Sequence, residues 1–346
     1  MKLVLGEEQR QLQESVRSFL GSAAPLRKAR EGYDPQVYAR LNGELGLSGL
    51  IIPEEYGGAG AGLTELSVAL EETGAALLPG PFLATAFAAI ALTATPDKEL
   101  LSGIADGRLA ATLGLPAGDE LTCDGTSVSG RLAQVLSGME ADVLVTPATA
   151  TAADGGAVMV AVELTAPGVT RTALDALDLT RGQAEIVLDG APCRVLGPRR
   201  DDGVMDRVCV ALAAEQLGVM RAALDAIVAY AKIRVAFGRY IGSYQGVKHK
   251  LADMHNKLEQ AESIVRYAAW AADEAPDELP EAAALAQAYI GRACFEVARD
   301  HLLLYGGIGY TWEHDAHLFY KRAKTDEVLL GPPRIHRARL AELLEL

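Results

Sequence analysis

The chain has 346 residues, 50% of them hydrophobic, and a formal net charge of −14. That length buries a large core and allows two or three domains. So acidic a surface repels phosphate backbones, which argues against nucleic acid as a partner. The four cysteines, Cys123, Cys193, Cys209 and Cys294, form no CxxC pair and no Cys/His spacing for a metal. They read as buried thiols in a reducing cytoplasm. The first residues, MKLVLGEEQRQLQ, turn charged early, unlike a signal peptide. The most apolar stretch, 77–93, is broken by Pro79, Gly80 and Pro81, too interrupted to span a membrane. The chain is expected to be soluble and cytoplasmic.

The first third carries a helical period. Residues 7–20 place Leu12, Val16, Phe19 and Leu20 on one face. Asp34-Pro35 reads as a cap followed by a first-turn proline, opening a helix to Leu45. The glycine-rich break IIPEEYGGAGAG follows, then a helix capped by Thr64 and running to Ala76. Glu54 and Glu55 sit in the break, and as neighbours in sequence they point apart, so they read as a solvated turn rather than an acid/base pair. Thr95-Pro96 is expected to open another short helix.

From Ala110 the pattern changes. AATLGL, VLVT, VMVAVEL and AEIVLDG are short runs rich in β-branched residues, separated by Gly, Asp, Pro and Thr. Helical periodicity returns at Asp201, with long helices expected over 204–233, 244–273 and 280–305, and a last one from Pro333. Helices of that length with shared apolar faces predict an antiparallel bundle. The organisation is helical over 1–109, β over 110–198 and helical over 199–346.

The segment KIRVAFGRYIGSYQGVKHKLADM, 232–254, contains Arg234, Phe237, Gly238, Ile241, Gln245, Leu251, Ala252 and Met254. A guanidinium can fork onto pyrophosphate oxygens, a phenyl ring can pack on a flavin or adenine face, and an amide can bond polar edges. The alternative is that Arg234 and Gln245 are solvated helix ends and Phe237 is core. A second segment, LLLYGGIGYTWEHDAHLFYKRAK, 302–324, carries Gly306, Gly307 and Gly309, where the missing Cβ lets backbone approach a ligand closely.

The first segment resembles the signature RxxFGxxIxxxQxxxxxLAxM of acyl-CoA dehydrogenases. The second resembles that family's GGxGYTxExP stretch, and IIPEEYGGAGAGLTELSVALEETG with LLPGPFLAT resembles its N-terminal helical domain. The resemblance covers nearly the whole chain. It implies an α+β fold: an N-terminal helical domain, a middle β-barrel-like domain and a C-terminal four-helix bundle. It also implies FAD as cofactor, held by Arg234, Phe237, Gly238 and Gln245 across a subunit interface and by Gly306, Gly307 and Gly309 at its adenosine end. Acyl-CoA is the implied substrate, and an electron-transfer flavoprotein a possible acceptor.

The chain also departs from the family. Family members abstract the substrate α-proton with a carboxylate, which in many is the Glu of a YEGT-like motif. Here that position is Leu330, followed by Gly331, with Ile335 and Arg337 behind it. Other members carry the base on the first long helix of the C-terminal domain, a position occupied here by Val208. The nearest carboxylates are Asp206 and Glu215. Asp206 is two residues away, about 200° around a helix. The stretch TLGLPAGDELTCDGTSVSG has neither the TExxxGSD-like loop nor the tryptophan strand that seat the flavin ring, and Leu303 replaces a frequent glutamine.

These departures favour a subunit without its own base, completing the FAD site of a catalytic paralogue. Some bacterial members, including ones used on steroid side chains, resemble such α2β2 assemblies. The alternatives are a self-sufficient dehydrogenase, as a homo-oligomer, with Asp206 or Glu215 as base, and a flavin-free structural or regulatory subunit. His249, His255, His314, His317 and His336 read as ungrouped, satisfied side chains, with no metal implied.

Overall fold

The computed structural model describes residues 3–115, 121–151, 155–200 and 202–346. Contacts divide the chain into two compact units: Met1–Glu31, Leu63–Leu78 and Cys209–Leu346 form one, Gly32–Gly62 and Pro79–Val208 the other. The N-terminal helical segment contributes to both. Asp201 and residues 116–120 of the stretch expected to lack the flavin-ring loop lie outside the described residues.

The sheet-bearing unit holds α2 (Pro35–Leu45), α4 (Phe82–Ala94) and α5 (Lys98–Ala105). Asp34 caps α2 as expected, accepting from the Gln36 amide at 2.9 Å, and Gly46 closes it in the left-handed conformation. The stretch 77–93 supplies α4, almost wholly buried, which the sequence reading left unassigned. The Thr95-Pro96 expectation is displaced. Thr95 ends α4, and Asp97 caps α5 by accepting from the Leu100 amide at 3.0 Å. The Asp97 carboxylate, an acceptor that also takes Arg194 at 3.1 Å, outcompetes a threonine hydroxyl that is bonded back to Ala91.

The strands are β1 (Ala111–Leu113), β2 (Thr122–Cys123), β3 (Ser127–Leu136), β4 (Val143–Ala150), β5 (Ala157–Glu163), β6 (Val169–Ala173), β7 (Gln183–Pro192) and β8 (Arg194–Pro198). They form one sheet in the order β6-β7-β3-β2-β4-β5-β8, with β1 parallel to β4. Register sets the buried face: Leu132 lies opposite Ile186, and Leu144 opposite Val162. The four expected runs supply β1, β4, β5 and β7, while β2, β3, β6 and β8 lie outside them; in β3, Gly130 and the polar residues around it break the β-branched pattern on which the expectation rested.

The helical unit holds α1 (Glu7–Ala23), α3 (Leu63–Ala75), the main length of α6 (Val204–Ile233), α7 (Gln245–Glu274), α8 (Leu279–Leu304), α9 (Ala316–Leu329) and α10 (Pro333–Leu343). The expected long helices form within a residue or two of their predicted ends. Helix α9 was not anticipated, because its sequence was read as a motif. Thr64 does not cap α3. Asp273 of α7 does, accepting from the amides of Leu63 and Thr64 at 2.7 and 2.9 Å and from the Thr64 hydroxyl at 2.6 Å. Two glycines set the α3–α6 crossing. A methyl on Gly74 would strike the Glu215 carbonyl, and one on Gly218 would strike that of Glu71. Buried Glu71 then pairs with Arg266 of α7 at 2.7 Å and with Arg221 of α6. Burial pushes the Glu71 carboxyl up while the two guanidiniums pull it down.

Candidate functional site

The segment between α6 and α7 folds as a two-stranded hairpin. Val235–Ala236 (β9) pairs antiparallel with Arg239–Tyr240 (β10), leaving Phe237 and Gly238 as a two-residue loop. Their φ angles are 50° and 80°. Positive φ at both central residues is what a type I′ turn requires, and a non-glycine residue there is uncommon. Phe237 is 97% exposed, which overturns the reading of it as core.

The hairpin is held rigid. Its base closes through Ile241 N–H donating to the Arg234 carbonyl at 2.8 Å. The Tyr244 hydroxyl donates to the Ala236 carbonyl at 2.9 Å, and the Arg239 guanidinium lies 3.8 Å over the Tyr244 ring. Gly242 packs on the Ala231 carbonyl with no room for a side chain. Arg234 and Gln245 are exposed. Neither engages an ion pair or side-chain hydrogen bond among the described residues. The hairpin therefore presents a ring, a guanidinium and an amide whose polar atoms are all available.

Gly306 to Tyr310 form a short 3-10 turn after α8. Gly306, at φ 68°, and Gly307 face open space. Gly309 is different: a Cβ there would lie 2.8 Å from the Leu302 carbonyl and 3.0 Å from Tyr305 Cβ, so this glycine serves the turn's own packing. Arg30 anchors the following residues, donating from Nε to Asp315 at 2.8 Å and from its terminal nitrogen to the Trp312 carbonyl. Tyr310 and Trp312 remain exposed.

The two segments meet. Tyr230, one turn before the hairpin, packs on Tyr305, which directly precedes Gly306, with centroids 4.5 Å apart. Tyr305 in turn packs on His314 at 4.1 Å and on His301 at 5.0 Å, and His301 on Phe319 at 5.3 Å. His317 packs on Trp312 at 4.8 Å. The sequence reading missed Tyr230, Tyr305 and His301. His314 and His317, expected to be ungrouped and satisfied, instead pack on Tyr305 and Trp312 respectively, and neither ring nitrogen of His301 or His317 has a hydrogen-bond partner. Aromatic burial outweighs solvation for these imidazoles. It lowers all of them, His301 to about 3.

Leu330 ends α9, and the His336 Nε2–H donates to its carbonyl at 3.1 Å. Gly331 follows at φ 97°. A leucine side chain has no atom that accepts a proton. The carboxylates just before it on α9 are Asp326 and Glu327, both buried, and Glu327 is paired with Lys324 at 2.7 Å and Arg292 at 3.7 Å. Val208 is fully buried. Glu215 lies against Arg322 at 3.5 Å, and both are buried. Asp206 is buried in the first turn of α6, within the sheet-bearing unit. Leu303, at the frequent glutamine position, is exposed. Among the described residues no His/Cys/Asp/Glu group is arranged for a metal, and no helix is long and apolar enough to cross a membrane.

Helices before and after a mixed sheet, with a rigid phenylalanine-tipped hairpin beside a glycine turn, define an architecture that comparison with known proteins identifies. The model of the acyl-CoA dehydrogenase N-terminal domain matches residues 6–107, and that of the C-terminal domain residues 204–344. The acyl-CoA dehydrogenase IpdE2 of Mycolicibacterium smegmatis is 36% identical over 343 residues, 97% of this chain and 98% of that protein. The chain belongs to the acyl-CoA dehydrogenase family.

Two solved structures add detail. A variant of the Tcur3481–Tcur3483 steroid ACAD is 32% identical, with a TM-score of 0.89 and 99% of each chain covered. The ChsE4–ChsE5 complex from Mycobacterium tuberculosis is 26% identical, with a TM-score of 0.90, covering 100% of this chain and 99% of that one.

Proposed function

We propose that this chain is the non-catalytic member of a heteromeric acyl-CoA dehydrogenase and completes the FAD site of a Glu-bearing partner subunit. The observation that carries the reading is the pairing of Leu330 at the family's base position with a fully formed, outward-facing Phe237-Gly238 hairpin. What a catalytic subunit needs for itself is replaced, and what it would borrow from a neighbour is kept.

The residues suit FAD. Arg234 would meet the pyrophosphate, Phe237 a ring face and Gln245 a polar edge, while Gly306 and Gly307 leave backbone open to the adenosine end. When bound, FAD supplies the hydride acceptor for α,β-dehydrogenation. This chain's part is to bind and orient it and to shield it from water. The names of the relatives, a steroid ACAD and a two-component complex, agree with a hetero-oligomer, as an α2β2 tetramer, acting on a bulky lipid or steroid acyl-CoA and passing electrons to an electron-transfer flavoprotein. We place the assembly in the cytoplasm and retain 1–109, 110–198 and 199–346 as its domains.

The second reading, a displaced base, is weakened at Glu215. The Glu215 carboxylate is buried against the Arg322 guanidinium, a contact that engages it within the chain rather than turning it toward a substrate. Asp206 keeps that reading alive as a buried carboxylate beside Val208.

Co-expression with a Glu-bearing paralogue from the same genome tests the proposal. Expected are co-purification, FAD in the complex and dye-linked acyl-CoA oxidation by the complex alone. A yellow, active preparation of this chain by itself overturns it. FAD missing from every combination favours a flavin-free structural or regulatory subunit.

A further inference from the structure

Cys123 and Cys193 are separated by 70 positions in the chain, yet their Sγ atoms lie 3.6 Å apart. The sheet creates this approach. Cys123 on β2 stands opposite Val128 of β3, and Val128 stands opposite Ala191 of β7 on its other side. Beyond Ala191, β7 runs past the β2–β3 turn, where the Cys193 amide donates to the Thr126 carbonyl at 2.9 Å. The turn brings the two thiols together across the end of β3.

The surrounding backbone is firm. Asp124 accepts from the amides of Thr126 and Ser127 at 2.9 and 2.7 Å and from their hydroxyls at 3.0 and 2.8 Å. These bonds hold its carboxyl well below the usual range. The Gly125 amide donates to Cys123 Sγ at 3.3 Å. A disulfide needs its sulfurs at about 2.05 Å, so the two thiols stand roughly 1.5 Å short of bonding distance. Cys123 is buried, whereas Cys193 is partly exposed, so one thiol of the pair meets solutes. Cys209 and Cys294 are both buried.

We propose that Cys123 and Cys193 are a reversible dithiol–disulfide site, oxidised by a low-molecular-weight disulfide. The Cys193 thiolate attacks the small disulfide, forming a mixed disulfide and releasing one thiolate. The Cys123 thiolate then attacks the Cys193 sulfur, expelling the second thiolate and leaving the intrachain bond. Two electrons pass from the protein to the small disulfide, and the two protons leave with the released thiols. Burial and the neighbouring Cys123 push the Cys193 thiol up to about 12. Little thiolate is therefore present at neutral pH, and the exchange is slow. The bond staples β2 to the end of β7 and narrows the unfolded ensemble of the sheet-bearing unit.

The test incubates the full-length chain, alone and in its purified assembly, with oxidised glutathione. The expected result is a loss of about 2 Da with a Cys123–Cys193 cross-linked peptide on mapping. The thermal midpoint should rise by about 5 °C or more and return on reduction with dithiothreitol. Cys193→Ser should abolish both effects, and Cys209→Ser should keep them. Mapping of the unmutated chain is decisive whatever the variants' stability. A stable glutathione adduct on Cys193, a cross-link through Cys209 or Cys294, or no mass change overturns the proposal.

Discussion

Tyr230 and Tyr305 pack ring on ring, and this contact joins the hairpin after α6 to the glycine turn after α8. Each ring sits within one helical turn of its motif, so the pair sets the motifs' spacing. Tyr305→Ala removes contacts to Tyr230, His301 and His314 together. It should cost about 3 kcal/mol by denaturant unfolding and reduce FAD retention by the assembly. Tyr305→Phe should retain both properties, since the packing uses the ring. Equal FAD loss in both variants would assign the effect to the hydroxyl instead.

Phe237 is exposed in a backbone conformation that disfavours it, a local cost without a compensating contact inside the chain. Phe237→Asn should stabilise the isolated chain by up to about 1 kcal/mol, because asparagine tolerates positive φ. The same change should lower FAD content and weaken assembly with the partner, read by flavin absorbance and size-exclusion chromatography. Undiminished flavin and assembly would leave the hairpin with no role at an interface.

Glu215 and Arg322 form a buried pair, and neutralising Glu215 takes away a charged partner of a fully buried guanidinium. Glu215→Gln should cost about 3–5 kcal/mol, while Glu215→Leu combined with Arg322→Leu should recover most of that. A double-mutant cycle on unfolding free energies reads the coupling. If Glu215→Gln instead folds like the parent and abolishes dehydrogenation by this chain alone, Glu215 is the base.

The glycine turn separates packing from binding. Gly309→Ala presses a methyl onto the Leu302 carbonyl and should destabilise by about 1–3 kcal/mol. Gly307→Ala meets nothing within 4 Å, so stability should be unchanged while FAD affinity of the assembly falls. Titrating FAD into apo-assembly checks the second effect, and unchanged affinity would move the adenosine end elsewhere.

His301 takes up a proton far less readily folded than unfolded, about 3 against 6.5. Its contribution to stability is complete above pH 6.5 and is lost as pH falls toward 3, because only the unfolded chain binds the proton in that window. Unfolding free energy should fall by about 1.4 kcal/mol per pH unit there from this residue, with His314 and His317 adding in the same direction. His301→Phe should flatten the slope between pH 6 and 4, measured by urea unfolding across a pH series.

Periodicity and caps determined a good deal by themselves. The spans of α6, α7 and α8, the cap at Asp34 and the switch to β structure after Ala110 were legible, because local hydrogen bonding and amphipathic faces leave a local trace in the sequence. So were the residues of the two family segments, whose spacing is fixed along one chain. What the local signal lacked, only the tertiary structure decided. The cap of α3 comes from Asp273 on another helix, Tyr305 of the α8 end meets Tyr230 of α6, and Cys193 meets Cys123 across the end of β3. Phe237 likewise carries two readings in sequence, a ring offered to a ligand or a core residue, since an apolar residue gives no sign of its exposure. A two-residue hairpin loop with positive φ turns it outward, and that geometry follows from the pairing of Val235–Ala236 with Arg239–Tyr240 rather than from the phenylalanine itself.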